Sequence, residues 1–131
     1  ELMGSSVGII RTEEGLADGL AGLDALEEEV AVVKAHGSSQ YNAGWHEALD
    51  LPSLMITSRA VATAAKLRQE SRGAHTRDDF EGEREEWGQV NIVIRKGAGG
   101  MEVEKVTRGE DPPELAKIAR ATIEDLEEGR V

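Results

Sequence analysis

Leu16, Leu20, Leu23, Leu26, Val30 and Val33 recur at steps of three and four, which sets six aliphatic side chains along one stripe of a helix. A stripe of that length must be covered by other elements before the helix is stable in water. Thr12 precedes Glu13 and Glu14, an N-cap with acids in the first turn, and Gly37 with Ser38 and Ser39 forms a stop. The spacing predicts a helix over 13–35.

A second long helix is predicted over 42–69, where Leu51, Leu54, Met55, Ser58, Val61, Ala62 and Ala65 trace a narrow apolar face rich in small residues. Pro52 removes a backbone donor inside this pattern, so the helix is expected to kink there or to restart with Asp50 as cap. Leu2, Met3, Val7 and Ile10 have roughly helical spacing ahead of the first stripe, weakened by Gly4 and Gly8. This segment reads as the continuation of a helix from upstream.

The palette agrees with packed helices: 39% of residues are hydrophobic but only 3% aromatic, so Leu, Ile, Val and Ala must build the core. At 131 residues the chain is one domain with appendages. Past Gly73 the character changes. Asp78, Asp79, Glu81, Glu83, Glu85 and Glu86 form an acidic loop ending at Trp87. Val90, Ile92 and Ile94, then Met101 and Val103, alternate with polar neighbours around Gly97–Gly100, a β-hairpin pattern. Asp111 with Pro112 and Pro113 opens a terminal helix over 113–128, with Leu115, Ile118, Ala119, Thr122 and Leu126 on one face. The expected fold is therefore mainly α, with a helical bundle over 1–77 and an appended acidic loop, hairpin and terminal helix over 78–131.

Several chemistries are excluded. A net charge of −11 argues against binding nucleic acid, which needs clustered cations. No cysteine is present, so this chain offers no disulfide, thiolate nucleophile or Cys-based metal site. No apolar run is long enough to cross a membrane, and the N-terminus lacks a signal-peptide pattern. The chain begins at Glu1 rather than Met, and we read it as a piece of a longer protein. His36, His46 and His75 are too far apart for the short-range pairing of a zinc site, and His46 reads as an amphipathic side chain beside Trp45. The glycines at 97–100 lie between two strands, whereas a dinucleotide fingerprint needs a strand before and a helix after. No catalytic, cofactor-binding or metal-ligating residue is nominated.

The segment Glu70-Ser71-Arg72-Gly73-Ala74-His75-Thr76-Arg77-Asp78-Asp79-Phe80 stands apart, because it concentrates both charges where a long helix ends. Between Arg59 and Arg77 five cations face one carboxylate, a local +4 within a strongly acidic chain. Two readings are open. In one, Gly73 reverses the chain and Arg72 and Arg77 pair with Glu70, Asp78 or Asp79, an ion-paired elbow internal to the fold. In the other, Glu70, Arg72, His75, Arg77 and Asp79 dock this elbow onto another domain or subunit through planar, bidentate contacts.

That segment and the run Tyr41-Asn42-Ala43-Gly44-Trp45-His46-Glu47-Ala48-Leu49-Asp50-Leu51 together resemble the C-terminal domain of the succinate dehydrogenase and fumarate reductase flavoprotein subunits. Glu13-Glu14-Gly15-Leu16, Glu86-Trp87-Gly88 and Asn91 extend the resemblance over most of 1–95. The family usually has proline where Ala43 stands, and commonly no proline at Pro52. L-aspartate oxidases are similar through Glu70-Ser71-Arg72-Gly73, and a free-standing acidic helical interaction module is the alternative outside this family.

The resemblance implies a three-helix, spectrin-repeat-like bundle and a parent enzyme that interconverts succinate and fumarate by hydride transfer with FAD. It also implies that FAD and the catalytic residues belong to upstream domains, leaving this piece without cofactor or active site. The partners it implies are the iron-sulfur subunit of the complex, together with the flavin-binding domain that precedes this piece in the same polypeptide. The place it implies is the cytoplasmic face of the membrane, bound peripherally.

Overall fold

The computed structural model describes residues 1–130. Helix α1 spans Leu2–Ser6 and strand β1 Ile10–Arg11. Helix α2 spans Glu13–Ala31, its first turn closed by the Thr12 hydroxyl, which accepts the Gly15 N–H at 3.0 Å. Helix α3 spans Ala43–Leu67, capped by the Asn42 side chain, which accepts the Trp45 N–H at 3.2 Å.

The two long helices are antiparallel, because Lys66 pairs with Glu13 at 3.2 Å while Arg59 pairs with Asp24 at 2.7 Å and Glu27 at 2.8 Å. Val7, Leu16, Leu23, Ala62 and Ala65 form the buried core, with Leu2, Met3, Leu20 and Met55 packed against it. Small residues set the spacing. A Cβ added at Gly19 would meet Val7 Cγ2 at 2.9 Å, so glycine there allows α1 to close on α2.

The bundle and its faces follow the sequence pattern, with four corrections. Helix α2 stops at Ala31 rather than 35, because Val32 and Val33 beyond it are exposed and gain nothing from helical placement. Pro52 lies inside one continuous helix, so of the two expected outcomes the restart at Asp50 does not occur; the residue is exposed, so the missing N–H is lost where water can serve the freed carbonyl. The first segment is helical only to Ser6, and the chain then turns into β1. Leu54 and Val61, expected on the apolar face, are exposed because they lie about a quarter turn from the buried Ala62.

Beyond the bundle, β2 (Thr76–Arg77) pairs in parallel with β1, and α4 (Glu85–Gly88) buries Trp87. Strands β3 (Val90–Gly97) and β4 (Gly100–Thr107) form the expected antiparallel hairpin, with Gly97 opposite Gly100 at its turn. The terminal helix is divided into α5 (Pro113–Arg120) and α6 (Ile123–Glu127). Thr122, read as part of one continuous apolar face, instead caps α6 in a reciprocal capping box with Asp125, an arrangement that satisfies two backbone donors.

Candidate functional site

The elbow at the end of α3 is built by the five side chains that the sequence placed together, and by several it did not. Gly73 has φ of +57°, a value that favours glycine, and lets Arg72 and His75 exchange backbone hydrogen bonds of 2.9 and 3.0 Å across the turn. The Ser71 hydroxyl accepts the Arg77 N–H at 2.8 Å and lies within hydrogen-bond reach of the Arg77 and Phe80 carbonyls. Thus the loop is held by its own backbone before any ion pair is counted.

Glu70 is fully buried and serves as the hub of one half. Its carboxylate accepts from Arg68, from Arg72 Nε at 3.0 Å and Nη2 at 3.2 Å, and from the Arg84 N–H at 2.8 Å. Burial pushes this carboxyl upward, but the hydrogen bonds from Arg72, the Arg84 N–H and Arg68 outweigh it and hold Glu70 down to about 2. Arg72 also reaches Glu83 at 2.8 Å and the Arg84 carbonyl at 3.1 Å. Arg68 donates to the Trp87 and Val90 carbonyls and stacks 5.3 Å from the Trp87 ring, which the Lys105 ammonium also approaches, at 3.8 Å. Helix α3, α4 and the hairpin are thereby fastened to one carboxylate.

Arg77, also fully buried, is the hub of the other half. It binds Asp79 through Nε at 2.7 Å and Nη2 at 2.8 Å, a two-point contact that only a guanidinium makes. Its Nη1 donates to the Ala65 and Lys66 carbonyls at 3.2 Å, satisfying the last turn of α3, and Nη2 reaches Glu13 at 3.2 Å. Asp79 in turn accepts the Glu13 N–H at 2.7 Å, at the first turn of α2. The hydrogen bonds from Arg77, opposed by burial and helped by the Glu13 N–H, hold the Asp79 carboxyl down to about 2.

His75 accepts at Nδ1 from Arg11 Nη1, 2.7 Å away, and its Nε2 lies 3.1 Å from the Arg68 carbonyl. A guanidinium can only donate, so Nδ1 carries no proton and Nε2–H is the donor. Burial lowers the affinity of His75 for a second proton, with Arg11, Arg77 and Arg68 adding to the effect against the opposing Arg68 carbonyl.

The structure therefore joins Glu70 with Arg72, and Arg77 with Asp79, as an ion-paired elbow; Asp78 instead meets Arg11 through its backbone N–H. Sequence reasoning missed Arg11, Glu13, Arg68 and Arg84 as members. Their partners lie up to 66 residues away, and only the local excess of cations hinted at them. His46 lies edge-on to Trp45 with ring centres 5.6 Å apart, beside it as expected, but it is exposed rather than packed. Among the described residues no group of three metal-ligating side chains converges.

These features define a short helical bundle closed by an ion-paired elbow and extended by a hairpin. A family model described as fumarate reductase flavoprotein C-term matches residues 1–122, and the chain belongs to that family. It is 32% identical over 96 residues to a fumarate reductase (CoM/CoB) polypeptide of Methanothermobacter marburgensis, a match covering 73% of this chain and 18% of the relative. It is 37% identical over 98 residues to the succinate dehydrogenase flavoprotein subunit of Coxiella burnetii, covering 72% and 16%. The solved structure of Mycobacterium smegmatis Sdh1 in complex with UQ1 superposes with a TM-score of 0.79 at 34% identity, covering 96% of this chain and 22% of that one. An L-aspartate oxidase of Pyrococcus furiosus matches more weakly. The chain spans less than a fifth of the length of the curated relatives named here.

Proposed function

We propose that this chain is the C-terminal structural domain of a flavoprotein subunit whose whole length interconverts succinate and fumarate by hydride transfer with FAD. The observation that carries the reading is the family match over 1–122 in a chain that spans 16–18% of those relatives. Its role is to brace the subunit, seated on the flavin-binding domain and within reach of the iron-sulfur subunit. Glu70, Arg77 and Asp79 keep the elbow rigid, while Arg72 and His75, both partly exposed, present it to the partner. Trp45, Leu49 and Ile56 leave apolar surface along α3 that a larger assembly would cover.

The glycine cluster at 97–100 does not form a pyrophosphate cradle for FAD. It turns between antiparallel β3 and β4, so no helix N-terminus follows it to receive a pyrophosphate. No step of the reaction is assigned to this chain, and the isolated chain is expected to be inactive. Among the described residues no helix is long and apolar enough to cross a membrane; peripheral attachment at the cytoplasmic face through other subunits is part of the proposal.

The test is Arg72→Ala in the full-length subunit. Reduced recovery of flavin-loaded, assembled complex is the expected result, and unchanged assembly removes the elbow from the interface. Assay of the wild-type subunit with succinate, fumarate and L-aspartate decides the reaction; turnover of L-aspartate alone selects the oxidase.

A further inference from the structure

Five arginines belong to the elbow, and three are neutralised inside the chain. Arg68 pairs with Glu70, Arg72 with Glu70 and Glu83, and Arg77 with Asp79 and Glu13. Arg84 is exposed and lies over the Phe80 ring at 5.3 Å; the half-buried Arg11, like Arg84, has no carboxylate within salt-bridge distance among the described residues. Its Nε donates to the Gly8 carbonyl at 2.7 Å and its Nη1 to His75 at 2.7 Å, while Nη2 has no partner among those residues. The geometry that fixes Nδ1 of His75 as an acceptor makes that ring neutral, so it does not cancel the charge. A half-buried guanidinium with a free fork arm and no counter-charge favours an incoming carboxylate.

Two further features lie beside it. Ile9 and Ile10 are 77% and 68% exposed, an apolar pair next to the cation. Among the described residues strand β1 pairs only with β2, which leaves its other edge without a strand partner. Carboxylate, apolar cover and a backbone edge are together what an extended peptide segment supplies.

We propose that Arg11, with Ile9 and Ile10, is a docking corner for an extended segment of the same subunit, outside this chain, that lays an Asp or Glu carboxylate on Arg11 Nη2. The inference rests on the bracing role proposed above. More than four-fifths of the length of the relatives lies outside the matched region, whereas a second copy of this chain would bring a net charge of −11 against another −11.

The test is hydrogen exchange over residues 7–12 in the full-length subunit, wild type against Arg11→Gln, with the amides of α2 as a control for folding. The corner predicts exchange at least tenfold faster in R11Q while α2 is unchanged, and no such acceleration when R11Q is placed in the 131-residue chain alone. Equal acceleration in the short chain overturns the proposal, because Arg11 then acts only through Gly8 and His75.

Should R11Q unfold α2, the wild-type comparison decides, since residues 7–12 must exchange at least tenfold more slowly in the full subunit than in the short chain. Protection in the short chain that grows with concentration overturns the proposal in favour of a second copy. Added protection on α3 without any at β1 sinks the Arg11 corner but leaves the bracing role standing; no added protection on either element sinks both.

Discussion

The Arg77 guanidinium and the Asp79 carboxylate meet at 2.7 and 2.8 Å, and through that contact the C-terminal end of α3 is tied to the N-terminal end of α2. Arg77 serves the last carbonyls of one helix and Asp79 the first N–H of the other. Each charge therefore sits at the helix end whose dipole favours it.

Arg77→Ala should lower stability by about 3 kcal/mol, the usual order for removing one partner from a buried pair. Arg77→Lys should recover less than half of that, because an ammonium makes a single-point contact and cannot serve Asp79 and the α3 carbonyls together. Urea denaturation of the three proteins checks this. A loss under about 0.5 kcal/mol for the alanine variant, the range of ordinary surface changes, would show that the contact does not hold the two helix ends.

Glu70→Gln leaves Arg68 without its carboxylate and Arg72 with Glu83 alone, and turns an amide NH2 toward donors, at a cost of about 2 kcal/mol. Because Arg68 stacks on Trp87, the change should also alter Trp87 fluorescence, read in a Trp45→Phe background. An unchanged emission spectrum with unchanged stability would mean that the hub is dispensable.

Stability should fall with acid in two steps. His75 binds its proton less readily in the folded than in the unfolded protein, so its contribution is complete above the ordinary value of 6.5 and is lost as pH falls through the lowered folded value. Glu70 and Asp79, both held at about 2, contribute fully above the ordinary 4.5 and 3.8 and lose that contribution as pH falls toward 2. Urea midpoints measured from mildly alkaline to acid pH should be flat above 6.5, and His75→Gln should remove the first decline but keep the second.

Pro52→Ala should raise stability by about 1 to 3 kcal/mol, since it restores a helical N–H at an exposed position and removes a clash with the preceding turn. Thermal denaturation followed by circular dichroism measures it. A drop in melting temperature would mean that the ring packs in a way its exposure does not suggest.

What the sequence by itself determined is local. The aliphatic stripe specified α2, Thr12 specified where it starts, and alternation around Gly97–Gly100 specified the hairpin, because capping and periodicity act over a few residues. The motif from Glu70 to Phe80 marked the elbow, and Gly73 marked its turn.

Which charge met which was decided only by the tertiary structure. Sequence spacing offered Arg77 several carboxylates, and the choice of Asp79 and Glu13 depends on α2 and α3 packing antiparallel so that a residue 64 positions away arrives at its side. The unpaired state of Arg11 and the tautomer of His75 are decided in the same way, by neighbours brought in from β1, β2 and the end of α3. Burial then sets what those charges are worth, because a guanidinium taken out of water is stable only where the fold surrounds it with acceptors.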